Sequence, residues 1–142
     1  MLFRSLGTVF VAPLHTRTVT IVANDSPSPH IVNLQGTGIS SGHGTLSVTG
    51  LDFGFVADGT HGQPQGVSLT NTGAGTLTLG TIIGSPQYAQ TNNCGASLKQ
   101  GASCTISIQF APTLLGILQG TVSVQDDGGG SPHLIALTGV GQ

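Results

Sequence analysis

In Cys94-Gly95-Ala96-Ser97-Leu98-Lys99-Gln100-Gly101-Ala102-Ser103-Cys104-Thr105-Ile106-Ser107-Ile108-Gln109-Phe110-Ala111-Pro112, apolar and polar residues alternate from Thr105 to Phe110. A period of two is what a β-strand shows when one face is buried and the other meets water. Ile106, Ile108 and Phe110 take the buried face, and Thr105, Ser107 and Gln109 the solvated one. Pro112 ends the run, since proline has no N–H for a sheet ladder. Cys94 and Cys104 flank a Gly-containing turn just ahead of the strand. A bridge between them would clip a short loop to a core strand, and the strand reads as the centre of a β-sandwich.

Outward from this strand, the chain is rich in small polar residues and poor in charge. Its 142 residues suffice for one domain with a proper core and fall short of two ordinary ones. Charged residues make up 6%, against about 25% in ordinary domains. Low charge alone does not imply disorder, which pairs low hydrophobicity with high net charge; solubility rests instead on hydroxyls and amides. The net charge is −2, and Arg4, Arg17 and Lys99 are the only lysine or arginine residues. That removes the basic footprint of a binder of nucleic acid or of an anionic membrane surface. No apolar run reaches the ~18 residues of a membrane-spanning helix. The start, Met1-Leu2-Phe3-Arg4, superficially resembles a signal peptide, but its apolar run is short, is broken by Ser5, Gly7, Thr8 and Pro13, and meets no small-x-small cleavage site. The two cysteines suit a disulfide better than a metal site, because no second Cys/His pair accompanies them; two free thiols are the alternative. A bridge would imply an oxidising compartment: periplasm, cell surface or medium.

Comparison of the chain with itself shows a repeat. Thr18-Val19-Thr20-Ile21 through Ser28-Pro29-His30-Ile31-Val32-Asn33-Leu34-Gln35-Gly36-Thr37-Gly38 matches Thr121-Val122-Ser123-Val124 through Ser131-Pro132-His133-Leu134-Ile135-Ala136-Leu137-Thr138-Gly139-Val140-Gly141. The offset is 103 positions without a gap, as from His30 to His133. Residues 1–38 therefore read as the C-terminal part of one repeat, with strands expected at Gly7–Val11, Arg17–Ala23 and His30–Gly36. Residues 39–44 read as a small, polar linker, and residues 45–142 as a complete second copy, so the chain reads as a slice of a tandem array.

Within the second copy, Leu46-Ser47-Val48 and Leu51–Phe55 suit a split edge strand around Gly50. Further strands are expected at Val67–Thr70, Leu77–Leu79 with Ile82-Ile83, Tyr88–Gln90, Cys104–Phe110, Gly120–Gln125 and His133–Val140. About seven short strands at regular spacing, with Gly, Pro or Asn at the junctions and no 3.6-residue periodicity, call for a two-sheet, immunoglobulin-like sandwich. The expected core is Val67, Leu69, Leu77, Leu79, Ile106, Ile108, Phe110, Val122, Val124, Ile135 and Leu137. Trp is absent, so the core is not the Trp-on-disulfide core of antibody domains.

The ordered landmarks Leu51-x-Phe53-Gly54, Val67-x-Leu69-Thr70-Asn71-Thr72-Gly73, Cys94 to Cys104-x-Ile106-x-Ile108-x-Phe110-x-Pro112, Gly116, Gly120-x-Val122-x-Val124 and Leu137-x-Gly139-x-Gly141 resemble the choice-of-anchor D repeats. These belong with the ASH and Hydin-type immunoglobulin-like domains, related to the major sperm protein fold. The resemblance implies a seven-stranded immunoglobulin-like sandwich, used in bacteria in large secreted or surface repeat proteins and in eukaryotes in cilia and centrosomes. The paired cysteines look like the exported, bacterial branch. Residues 1–38 depart from the pattern in lacking an Asn-Thr-Gly strand and cysteines of their own.

Candidate chemistry is sparse. Asn71-Thr72-Gly73 reads as a strand end whose residues tolerate left-handed backbone angles. Gly36-Thr37-Gly38 and Gly139-Val140-Gly141 have no helix after them that could aim N–H groups at a phosphate. His15, His30, His43, His61 and His133 have neither the pairing nor the neighbours of a zinc site; His30 and His133 share one repeat position, which suggests a strand-start or inter-repeat contact. Asp126 and Asp127 beside three glycines fall short of the six to eight oxygens calcium takes. Glu is absent, and no nucleophile has a matching base. No enzyme, cofactor or metal is expected. The reading is a structural spacer module of a secreted or cell-surface repeat protein, with neighbouring repeats as its partners. The alternatives are a module binding a protein or polysaccharide and a cytoplasmic, cilium- or centrosome-type interaction domain.

Overall fold

Residues 15–36 and 40–142 are described by the computed structural model, and all of their regular elements are strands. The chain divides between Ser40 and Ser41 into two units. In the first, β1 (His15–Ile21) pairs antiparallel with β2 (His30–Gly36). The strand expected at Arg17–Ala23 begins and ends two residues earlier. It stops at Ile21, opposite His30, and the Ala23 N–H turns to Ser28 Oγ (3.0 Å). The strand expected at Gly7–Val11 lies outside the described residues.

The second unit contains β3 (Gly44–Leu46), β4 (Gly50–Val56), β5 (Gln65–Asn71), β6 (Leu77–Gly84), β7 (Tyr88–Asn92), β8 (Ser97–Leu98), β9 (Ser103–Phe110), β10 (Gly116–Asp126) and β11 (His133–Gly141). One sheet runs β4-β11-β10-β6-β8 and the other β3-β5-β9-β7. Together they form an immunoglobulin-like β-sandwich. The split strand changes sheets: β3 pairs with β5, whereas β4 runs parallel to β11 in the opposite sheet. Two expectations about strand extent are corrected. Strand β10 starts at Gly116 rather than Gly120, because Ile117 and Leu118 pair with Val140 and Gly139. The expected linker at 39–44 is partly built into the sandwich, since Gly42 and Gly44 are buried and Gly44 already pairs with Asn71.

Alternating side chains of the two sheets meet between them. Val67, Leu69, Leu77, Ile106, Ile108, Phe110, Val122, Val124 and Ile135 are fully buried, and Leu137 is 1% exposed. Each such side chain contributes roughly 1.5–3 kcal/mol through burial. Leu79, expected among them, is only half-buried at the rim of the core. The ladder between β6 and β10 shifts register there, from Val124 opposite Ile82 to Asp126 opposite Leu79, and such a bulge re-aims the side chains beside it.

The aromatic side chains of the core come from three strands, β4, β7 and β9. Tyr88 stacks on Phe110 at a centroid distance of 4.9 Å, and Phe53 lies 5.6 Å from Tyr88 and 6.1 Å from Phe110. Two glycines of the sheet facing Tyr88 and Phe110 make room for those two rings. A Cβ on Gly139 would stand 2.5 Å from the Phe110 ring, and one on Gly120 would stand 2.6 Å from the Tyr88 ring. The glycines around Val140 therefore serve close packing.

Candidate interaction surfaces

The two ends of the sandwich have different chemistry. At the end where the chain comes in, Asn71 is fully buried. Its Oδ1 accepts the N–H groups of His43 and Gly73, both at 3.0 Å. Its Nδ2 donates to the carbonyls of Gly75 (2.8 Å) and Leu98 (2.9 Å). One amide thus ties the incoming segment, the β5–β6 turn and β8 together and uses its full hydrogen-bonding capacity. Asn71-Thr72-Gly73 ends β5 as expected, but without left-handed angles, since neither Asn71 nor Gly73 has a positive φ. Gly73 is required for space: a Cβ there would lie 2.5–2.6 Å from the backbone of Ser41, Gly42 and His43.

Beside this lock, His133 Nε2 lies 3.0 Å from Asp126 Oδ2, whose side chain is wholly buried. The His43 ring meets that of His133 edge-on at 6.5 Å. In the first unit, His30 Nε2 lies 3.1 Å from both carboxylate oxygens of Asp25, exposed to solvent. Both strand-start histidines thus pair with a carboxylate that precedes them in the chain, Asp25 in the turn after β1 and Asp126 at the end of β10. The acids occupy non-equivalent positions, because Asp25 aligns with Gly128 and Asp126 with Ala23; self-comparison therefore shows the histidines and misses their partners. The two acids of the Asp126-Asp127 loop diverge, since Asp127 Oδ1 accepts the Thr78 N–H at 2.8 Å. Hydrogen bonding by Thr78 holds the Asp127 carboxyl below its ordinary value. Among the described residues, no three His, Cys or Asp side chains are arranged to hold a metal. His61 is exposed in the β4–β5 loop.

Cys94, from the β7–β8 loop, is bonded to Cys104 in β9 with Cα atoms 5.0 Å apart. Cys104 is buried, so the bridge fastens an exposed loop to the core strand.

The other end carries exposed apolar side chains. A bulge in β4 sets Thr138 opposite Asp52 but Val140 opposite Phe55. It is made by Gly54 at φ 62°, a left-handed backbone conformation that favours glycine. Phe53 consequently faces the core while Phe55, two residues on, is 72% exposed. Ile117, also 72% exposed, pairs with Val140. Phe55, Val140 and Ile117 therefore form a cross-strand row on the outer face, and Leu114 and Leu115 are exposed in the loop before β10. Gln142 lies at this end: its N–H donates to Val56 O (3.0 Å), and its carbonyl oxygen accepts from Asp58 N–H (2.8 Å).

Tyr88 donates its hydroxyl to Leu118 O at 2.7 Å. Burial, and secondarily the charge of Asp52, raise its pKa above the ordinary value.

No family model matches the chain, and no curated protein matches it. Solved structures share its fold. A protein of unknown function from Porphyromonas gingivalis W83 is 17% identical with a TM-score of 0.62, over 91% of this chain and 67% of that one. The ASH/PapD-like domain 7 of human CEP192 is 15% identical with a TM-score of 0.54, over 70% of this chain and 84% of that one. The VesB protease of Vibrio cholerae is 15% identical with a TM-score of 0.54, over 68% of this chain but only 31% of its own. At these identities the likeness is one of fold, and the fold is an immunoglobulin-like sandwich.

Proposed function

We propose that this chain is a non-catalytic spacer of the choice-of-anchor D kind, in a tandem-repeat protein that is secreted or displayed at a cell surface. The observation that carries the proposal is the position of the chain ends in the second unit. Gly44 lies against Asp126 and His133 at one end of the β10–β11 hairpin, whereas Gly141 pairs with Gly116 at the other. The 11 residues of β10 separate the two by about 35 Å at ~3.3 Å per residue. A domain entered at one end and left at the other extends an array by its own length, with its neighbouring repeats as partners. The Cys94–Cys104 bridge suits an oxidising compartment and weighs against the cytoplasmic, cilium-type reading.

The test is solution scattering from two, three and four concatenated copies of residues 39–141. The spacer reading expects the maximum dimension to grow by about 35–40 Å per copy, the length of one sandwich. Growth that levels off, as for copies folded back on one another, refutes it.

A second reading, adhesion to a protein partner, is favoured by the apolar row Phe55–Val140–Ile117. Beside Phe55 lies an open depression of about 410 Å³, lined by Phe53, Val56, Thr60, His61 and Gln65 among others. A polysaccharide is less well served, because Tyr88, the only Tyr, is 2% exposed and Trp is absent.

A further inference from the structure

The β1–β2 hairpin reproduces β10–β11 in register as well as in sequence. Val19 pairs with Val32 as Val122 pairs with Ile135, and Ile21 pairs with His30 as Val124 pairs with His133. Sidedness is kept too: Ile31 is 62% exposed and its counterpart Leu134 is 54% exposed. The inner face differs. Val122, Val124, Ile135 and Leu137 are at most 1% exposed beneath β5 and β9. Their counterparts Val19, Ile21, Val32 and Leu34 are 46%, 50%, 44% and 49% exposed. A two-stranded hairpin whose apolar face is this exposed is marginal on its own in water.

Resting on the tandem-array reading, we infer that this face docks a sandwich lacking its last two strands, that is, a strand set equivalent to β3–β9. In the second unit that set supplies the apolar lid from β5 and β9, an antiparallel edge on β6 for β10 and a parallel edge on β4 for β11. The docking partner offers the same lid and the same two open edges. Gly36 stands at the position of Gly139, so a ring like Phe110 is accommodated there. Arg17 stands at the position of Gly120, so the partner carries no ring at the place of Tyr88. A second copy of this chain is not the occupant. Among the described residues each copy has two such hairpins and a single β3–β9 set, so self-association leaves one hairpin without such a set.

The test places residues 41–117 directly before His15 of the chain, with Arg17→Gly to clear the Tyr88 ring, so that β1 continues in the frame of β10. Amide hydrogen exchange is compared with that of the unmodified chain. The expected result is that the amides of Val19 and Val32 become at least about a hundredfold more protected, as core strands are relative to fraying ones. Adding Val32→Asp should abolish this gain and leave the amides of Val122 and Ile135 protected. Exchange in β1 and β2 unchanged from the unmodified chain, or protection indifferent to Val32→Asp, overturns the inference. The outcome is independent of the scattering test: concatenated repeats that fold without lengthening refute the spacer and leave this docking standing.

Discussion

Replacing Asn71 tests whether one buried amide holds the incoming end of the sandwich together. Asn71→Ala removes four hydrogen bonds and strands two N–H groups and two carbonyls, those of His43, Gly73, Gly75 and Leu98. At a net ~1 kcal/mol each, the loss is about 3–5 kcal/mol, a large share of the ~5–15 kcal/mol that stabilises a domain. Asn71→Asp separates the two halves of the amide. The oxygen that accepts from His43 and Gly73 is kept, while the other oxygen, when ionised, confronts two carbonyls in a buried place. Burial and those carbonyls raise the folded-state pKa of the introduced acid above its unfolded value of ~3.9. A raised acid is stabilised in its protonated form, so its favourable contribution is present below the unfolded pKa and lost as pH rises through the folded pKa. Urea titrations followed by circular dichroism at pH 7 and pH 4, each variant against wild type at the same pH, read this out. Asn71→Ala should lose the same amount at both, and Asn71→Asp should lose clearly less at pH 4 than at pH 7. A loss below about 1 kcal/mol for the alanine variant, or a pH-independent loss for the aspartate variant, refutes the reasoning.

Ile108→Ala should cost about 2–5 kcal/mol through the cavity it leaves, and Ser107→Ala far less; equal losses in a denaturant titration would contradict the burial of one face of β9. Reducing the Cys94–Cys104 bridge, which closes a separation of 10 residues, should cost ~2–3 kcal/mol by chain entropy, measured as a lower urea midpoint in reductant. Tyr88 is the only tyrosine, so absorbance at 295 nm follows it alone. It should ionise above the ordinary tyrosine range, and because its folded pKa is raised, the stability it contributes is present below the unfolded value and lost as pH rises through the folded one. Ionisation at the ordinary value in the folded protein would show the hydroxyl to be solvated. Deleting residues 1–40 should leave the cooperative unfolding of residues 41–142 intact, and loss of cooperativity would place the hairpin within that core.

Strand β9 was legible because alternation is a local property: Ile106, Ile108 and Phe110 have to share a face whatever lies opposite them. The repeat was legible for a similar reason, since a constant offset needs no knowledge of contacts. Leu79 shows where this logic stops. Its place depends on a register shift between β6 and β10, which is a relation between strands far apart in the chain. Asn71 shows the same limit for polar groups. Its position after an apolar strand resembles any turn, and its four partners come from three separate segments, so composition cannot reveal that the amide is a lock.

By itself, the sequence determined an all-β, immunoglobulin-like sandwich, because period-two alternation broken by Gly, Pro and Asn leaves strands no other way to bury one face. It also determined the pairing of residues 18–38 with residues 121–141 as two copies of one hairpin. Only the tertiary structure decided which faces stay open. Phe53 and Phe55 are two residues apart and would share a side in a regular strand; the bulge at Gly54 sends one to the aromatic core and the other to the surface. Likewise Val19 and Val122 are the same residue in the same register, exposed in one hairpin and buried in the other. The difference lies in the facing sheet, which a strand's own residues do not encode.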